Sequence, residues 1–123
     1  MKIVVYAICK NEARFVHRWV DSMSEADQVI VLDTGSSDDT VEKLRARGAQ
    51  VTEEVISPWR FDAARNRSLE LVPEDADICV CTDLDEVFQP GWRALLEQAW
   101  VPGTGQDAYR YTWSFNSDGS EGV

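Results

Sequence analysis

The chain contains no apolar run approaching the roughly 20 residues that a bilayer span requires. Its opening stretch, "MKIVVYAICKNE", is too short an apolar segment for a signal peptide and is ended by Lys10. These absences predict a cytoplasmic protein; any membrane association has to come through regions other than these residues. Basic residues are scarce, 12 Lys+Arg against 22 Asp+Glu, for a net charge of -10 over 123 residues. That balance excludes nucleic acid as a partner, because a phosphate backbone needs a basic face. A small anionic ligand remains compatible if a cation or a few local arginines neutralise it. Cysteine is sparse too. Cys9, Cys79 and Cys81 are an odd count set inside apolar runs. Cys79 and Cys81 share one face of a strand, too close for a good disulfide. All three are expected as buried thiols, which suits a reducing compartment. There are no repeats, no low-complexity segments and no linker-like stretch.

What is present reads as one ordinary domain over residues 1–123, since 44% hydrophobic content in a chain of this length supports a single core. Ile3 to Ile8 is a continuous apolar run, as expected of a strand covered on both faces. Phe15, Val16, Trp19, Val20 and Met23 then recur at helical spacing. Val29 to Leu32 is a second strand, stopped by "DTGSSDDT", after which Ser37 or Asp38 caps a helix that ends at Gly48. "AQVTEEVI" is a third strand. "FDAARNRSLELV" is a helix expected to bury Phe61, Ala64, Leu69 and Val72. "DICVCTD" is a fourth strand, "GWRALLEQAW" a helix after Pro90, and "YRYTWSF" a late alternating strand followed by the turn "NSDG". That turn leads to only four residues, so the fold is expected to be incomplete at its C-terminus, the front part of a longer protein. Strands alternating with helices predict an α/β, Rossmann-like architecture, a mostly parallel central sheet with helices on both faces.

In such sheets ligands bind beyond the carboxyl ends of the strands. That rule selects "CKNE", "DTGSSD", "SPWRFD" and "DLDE", which should lie along one edge. In "DLDE", Asp83 and Asp85 flank Leu84, and in extended backbone alternate side chains point the same way. Two close carboxylates disfavour each other's ionisation unless a cation lies between them. A hard divalent ion, Mg²⁺ or Mn²⁺, meets that need with one or two carboxylates plus substrate phosphates. Asp33 and Thr34 stand where a base or ribose can be hydrogen-bonded, and Arg65 in "AARN" can reach a phosphate. Neither glycine pattern of a dinucleotide fingerprint or a P-loop is present.

Four ordered blocks, "ICKNEARF", "VIVLDTGSSDDTVE", "FDAARNRSLE" and "CTDLDEVF", resemble the family 2 glycosyltransferases of the GT-A fold. The resemblance implies a nucleotide-diphosphate-sugar donor, a UDP-sugar first, at the carboxyl edge. Ile8, Asn11 and Glu12 would then lie near the base. Asp33, followed here by Thr34 where some members carry a second acid, would contact base or ribose. Arg65 would lie near the nucleotide. Asp83, Leu84 and Asp85 match the family's D-x-D, with Asp83 and Asp85 meeting ribose and metal. It further implies inversion by direct displacement onto an acceptor hydroxyl of a glycan, lipid or protein, with a carboxylate base from a segment after the D-x-D. Of the later acids, Glu97, Asp107, Asp118 and Glu121, none falls in a recognisable base motif. The catalytic base is therefore expected beyond Val123, and the chain is expected to bind donor and metal but to transfer sugar poorly. Two rivals remain. One is a non-catalytic nucleotide-sugar-binding or interaction domain. The other reads "DLDEVF" as a haloacid-dehalogenase-like phosphatase motif, which would place Asp83 after the first strand and not after three others.

Overall fold

The computed structural model describes residues 1–100, so the expected strand and turn at 109–119 and the acids Asp107, Asp118 and Glu121 lie outside the described residues. The chain divides into two compact units, Met1–Pro90 and Gly91–Val123. In the first, strands β1 (Ile3–Cys9), β2 (Gln28–Asp33), β3 (Gln50–Glu53) and β4 (Ile78–Cys81) alternate with helices α1 (Ala13–Ser22), α2 (Thr40–Ala46) and α3 (Phe61–Glu70). In the second, the described part is helix α4 (Trp92–Ala99), with Trp92 buried and an Arg93–Glu97 pair at 2.7 Å along its surface.

All strand pairs are parallel, in the order β3-β2-β1-β4. The crossovers through α1 and α2 step in one direction, and the crossover through α3 reverses it. Because such crossovers are right-handed, the reversal puts α3 on the opposite face from α1 and α2. The packing agrees: α1 lies against α2, whereas α3 lies against β1 and β2. The reversal makes the space between β1 and β4 the topological switch point of the sheet. β1 is buried almost throughout and β2 over its last four residues, as a parallel strand covered on both sides should be. Val16, Trp19, Val20 and Met23 bury the inner stripe of α1, with Phe15 half-buried beneath the Arg14 guanidinium.

α2 ends as its sequence demands. Gly48 takes φ +92, its N–H donates to the Arg45 carbonyl, and Ala49 N–H donates to the Leu44 carbonyl. That pair of bonds is a Schellman cap, and its left-handed residue is the one a side chain would strain. At the other end, the Asp38 carboxylate accepts from Thr40 N–H at 3.0 Å and from the Thr40 hydroxyl. Those bonds hold Asp38 below the usual carboxylate range.

Three expectations need correction. Helix α3 buries Ala64 and Ser68, while Phe61 and Leu69 face solvent at 57% and 46% exposure. Small residues let α3 sit close on Ile8 and Leu32. Leu69 lies one position round the helix from Ser68, and Phe61 shares the Ala64 stripe but stands at the first residue of the helix. Cys79 is exposed and Cys81 half-buried, not buried as expected, because among the described residues β4 ends the sheet order and turns only Ile78 and Val80 inward. Finally, β3 is four residues long, ending at Glu53, so 54–60 belongs to the loop that leads to α3.

Candidate functional site

Parallel pairing brings the carboxyl ends of all four strands to one edge, with Cys9 beside Asp33 and Asp33 beside Glu53. The loops leaving that edge are fastened to one another. Asn11, at φ +54, accepts through its side-chain oxygen from Ser37 N–H at 2.7 Å and Asp38 N–H at 3.3 Å, while its own N–H donates to Ser36 Oγ at 2.8 Å. Asparagine tolerates this left-handed backbone better than most residues. Glu12 N–H donates to Thr40 Oγ1 at 3.0 Å. The loops after β1 and β2 therefore move as one piece.

Asp33 is buried and its oxygens are committed. Oδ2 accepts from Gly35 N–H at 3.1 Å and Ser36 N–H at 2.9 Å, and Oδ1 accepts from the Ser36 hydroxyl and from Cys9 Sγ at 3.4 Å. A carboxylate offers about four lone-pair sites, and here all have donors. Gly35 makes this turn with φ +123. Thr34 is also buried, with N–H and hydroxyl both donating to the Cys9 carbonyl. Burial beside this carboxylate pushes the Cys9 thiol up, far from nucleophilic. Ile8 packs against Leu32 and Ala64, so its side chain belongs to the core and only its backbone reaches the edge.

The D-x-D segment is a tight turn and not extended backbone: Glu86 N–H donates to the Asp83 carbonyl at 3.0 Å. Leu84 is buried and anchors the turn, leaving Asp83 and Asp85 exposed on either side. The Glu86 carboxylate accepts from Asp83 N–H at 2.8 Å and from the Thr82 hydroxyl at 3.3 Å, closing the turn from below. Arg65, on the second turn of α3, donates from one terminal nitrogen to Asp83 Oδ1 at 3.2 Å and from the other to Cys81 Sγ. Tyr6, beside Cys81 in the sheet register, has its phenol pushed up to about 12, chiefly by burial and then by Cys81. Across the switch point, the half-buried Glu12 carboxyl is raised by burial first and then by the charges of Asp85 and Asp83.

The structure thus brings together Glu12, Arg65, Asp83 and Asp85 from the ends of β1 and β4 and from α3, and leaves Ile8, Asp33 and Thr34 as the frame beneath. Sequence reasoning assigned no part in the site to Tyr6, Ser36, Thr40 or Cys81. Tyr6, Thr40 and Cys81 sit on ordinary strand or helix-start positions, and Ser36 sits in the loop after β2. Among the described residues no three His, Cys, Asp or Glu side chains form a metal cage. Two carboxylates on one turn nonetheless suit Mg²⁺ or Mn²⁺, which keep several waters and take their remaining ligands from substrate phosphates.

The chain is similar to several known proteins. An uncharacterized glycosyltransferase of Rickettsia prowazekii (strain Madrid E) is 41% identical over 59 residues, 47% of this chain and 19% of that protein. Glucosyl-3-phosphoglycerate synthase from Mycobacterium tuberculosis, in complex with Mn²⁺, uridine-diphosphate and phosphoglyceric acid, is similar at TM-score 0.68 and 31% identity. That similarity covers 85% of this chain and 40% of that one. The same enzyme with Mn²⁺, UDP-glucose and phosphoglyceric acid matches at TM-score 0.59 and 34% identity over 68% of this chain and 33% of that one. The chain thus spans about a fifth of the length of the curated relative and well under half of the solved enzyme. Residues 4–105 match the family described as Glycosyl transferase family 2, and the chain belongs to that family.

Proposed function

We propose that this chain is the donor-binding part of an inverting glycosyltransferase that takes a UDP-sugar with a divalent metal at the D-x-D turn. The observation that carries the reading is the convergence of Glu12, Asp83 and Asp85 at the switch point between β1 and β4, with the Arg65 guanidinium donating to Asp83 at 3.2 Å. Asp83 and Asp85 would hold the metal together with the diphosphate. Bound there, Mn²⁺ or Mg²⁺ supplies charge stabilisation for a departing diphosphate. Arg65 is placed to exchange Asp83 for a phosphate oxygen, since a guanidinium pairs with either. Leu84 and Glu86 keep the turn rigid, and Asp33 with Asn11 keeps the neighbouring loops in register. No described residue is assigned the role of base toward the acceptor.

Titration calorimetry of UDP-glucose in millimolar Mn²⁺ tests the reading. Wild-type protein should bind and Asp85→Ala should not, while chelation of the metal should abolish binding by the wild type. Equal binding by both proteins, or binding untouched by chelation, would remove the metal from the site. A radiolabel assay with these 123 residues should show little sugar transfer; brisk transfer would place the base among them.

A further inference from the structure

We infer that Phe61 is the platform on which the donor's nucleobase stacks, and so a residue that sets which nucleotide is accepted. The inference rests on the donor site proposed above. Phe61 opens α3, directly after the loop from the carboxyl end of β3, so it stands at the ligand edge of the sheet. It is 57% exposed on a helix that seats itself through Ala64 and Ser68, so its ring contributes little to the core. The Arg65 guanidinium lies over that ring, 5.2 Å from its centroid, and the same guanidinium holds Asp83 at 3.2 Å. Ring, cation and D-x-D carboxylate thus form one unbroken series. A ligand whose diphosphate meets Asp83 has its flat end within reach of the ring.

The chemistry around the ring favours a base over a sugar. The same loop exposes the apolar Val55 at 71% and Trp59 at 55%, with Ser57 between them, and the nearby Arg60 is paired with Asp62 at 2.7 Å. A sugar ring carries hydroxyls that need several polar partners, whereas a base offers a π-face to any aromatic. Arg65 already stacks on Phe61, and a planar base extends that stack. Asp33, the residue whose position suggests base recognition from sequence, has its lone pairs filled by its own turn and by Cys9, which leaves the base in need of another surface.

Calorimetry in Mn²⁺ with UDP, with inorganic pyrophosphate and with UDP-glucose tests this on wild type, Phe61→Ala, Phe61→Trp and Asp85→Ala, after circular dichroism confirms that each variant is folded. Base–aromatic stacking lost to alanine corresponds to roughly fivefold to a hundredfold weaker UDP binding. Pyrophosphate binding should be unchanged in Phe61→Ala, and Phe61→Trp should restore UDP. Asp85→Ala should weaken all three ligands. The inference is overturned if Phe61→Ala binds UDP as wild type does, or if UDP and pyrophosphate weaken together. A loss confined to UDP-glucose would assign the ring to the sugar and overturn it equally. Wild-type protein that binds neither UDP nor pyrophosphate would instead sink the donor site itself.

Discussion

At the scale of single residues, the acids of this site do different work according to what surrounds them. Asp83 and Asp85 are exposed and offer their oxygens outward, whereas Glu86 spends its carboxylate on Asp83 N–H and the Thr82 hydroxyl. Glu86→Ala should therefore cost about 1.5–3 kcal/mol, the range for a hydrogen bond to a charged group. It should also weaken Mn²⁺-dependent UDP binding, whereas Glu86→Gln, which retains an acceptor oxygen, should recover most of both. Melting curves and calorimetry check this; unaltered UDP binding in Glu86→Ala would show that the turn holds its shape without the carboxylate. Glu12 behaves in the opposite sense. Burial, then Asp85 and Asp83, raise its carboxyl above the ordinary range, so ionising it opposes folding. A raised folded-state pKa gives a contribution that is present in full below the unfolded value and is lost as pH rises through the folded one. Without metal, Glu12→Gln should melt higher than wild type near neutral pH, and the gap should close as pH falls into the ordinary glutamate range. A gap that does not change with pH would mean that packing, and not charge, separates the two proteins.

At the scale of elements, the sequence and the structure part company on one helix. The parallel strands were readable because Ile3 to Ile8 is apolar without interruption, and the end of α2 because Gly48 can take a left-handed φ without strain. The position of Asp83 and Asp85 at the carboxyl edge was readable because an apolar parallel strand delivers its end there. Helix α3 was misread because its largest apolar residues suggested the buried side. Close approach to β1 and β2 kept Ala64 inside, as expected, but put Ser68 beside it in place of Leu69. Two substitutions separate these readings. Ala64→Leu should destabilise by about 1–3 kcal/mol through overpacking, whereas Leu69→Gln should stay within about 0.5 kcal/mol of wild type. Urea denaturation measures both, and a large loss in Leu69→Gln would restore the first assignment. The hydrogen bonds that bind Asn11 to the 36–38 loop were equally out of view, since they join residues far apart in sequence whose meeting depends on strand order.

At the scale of the molecule, charge and site draw on the same acids but answer to different ions. A net charge of -10 repels itself in the folded state, and simple salt screens that repulsion. Raising monovalent salt should therefore raise the melting temperature of wild type and Asp85→Ala alike, because one carboxylate is a small part of the total. Mn²⁺ with UDP at constant ionic strength should act only through the switch point between β1 and β4. At ligand concentrations about 100-fold above Kd, binding to the native state alone stabilises by about 2.7 kcal/mol. Wild type should show that further rise, and Asp85→Ala should keep the salt response while losing the ligand response. If Mn²⁺ and UDP raise both proteins equally, the ion is acting as general counter-charge to an acidic surface, and the D-x-D turn is not its site.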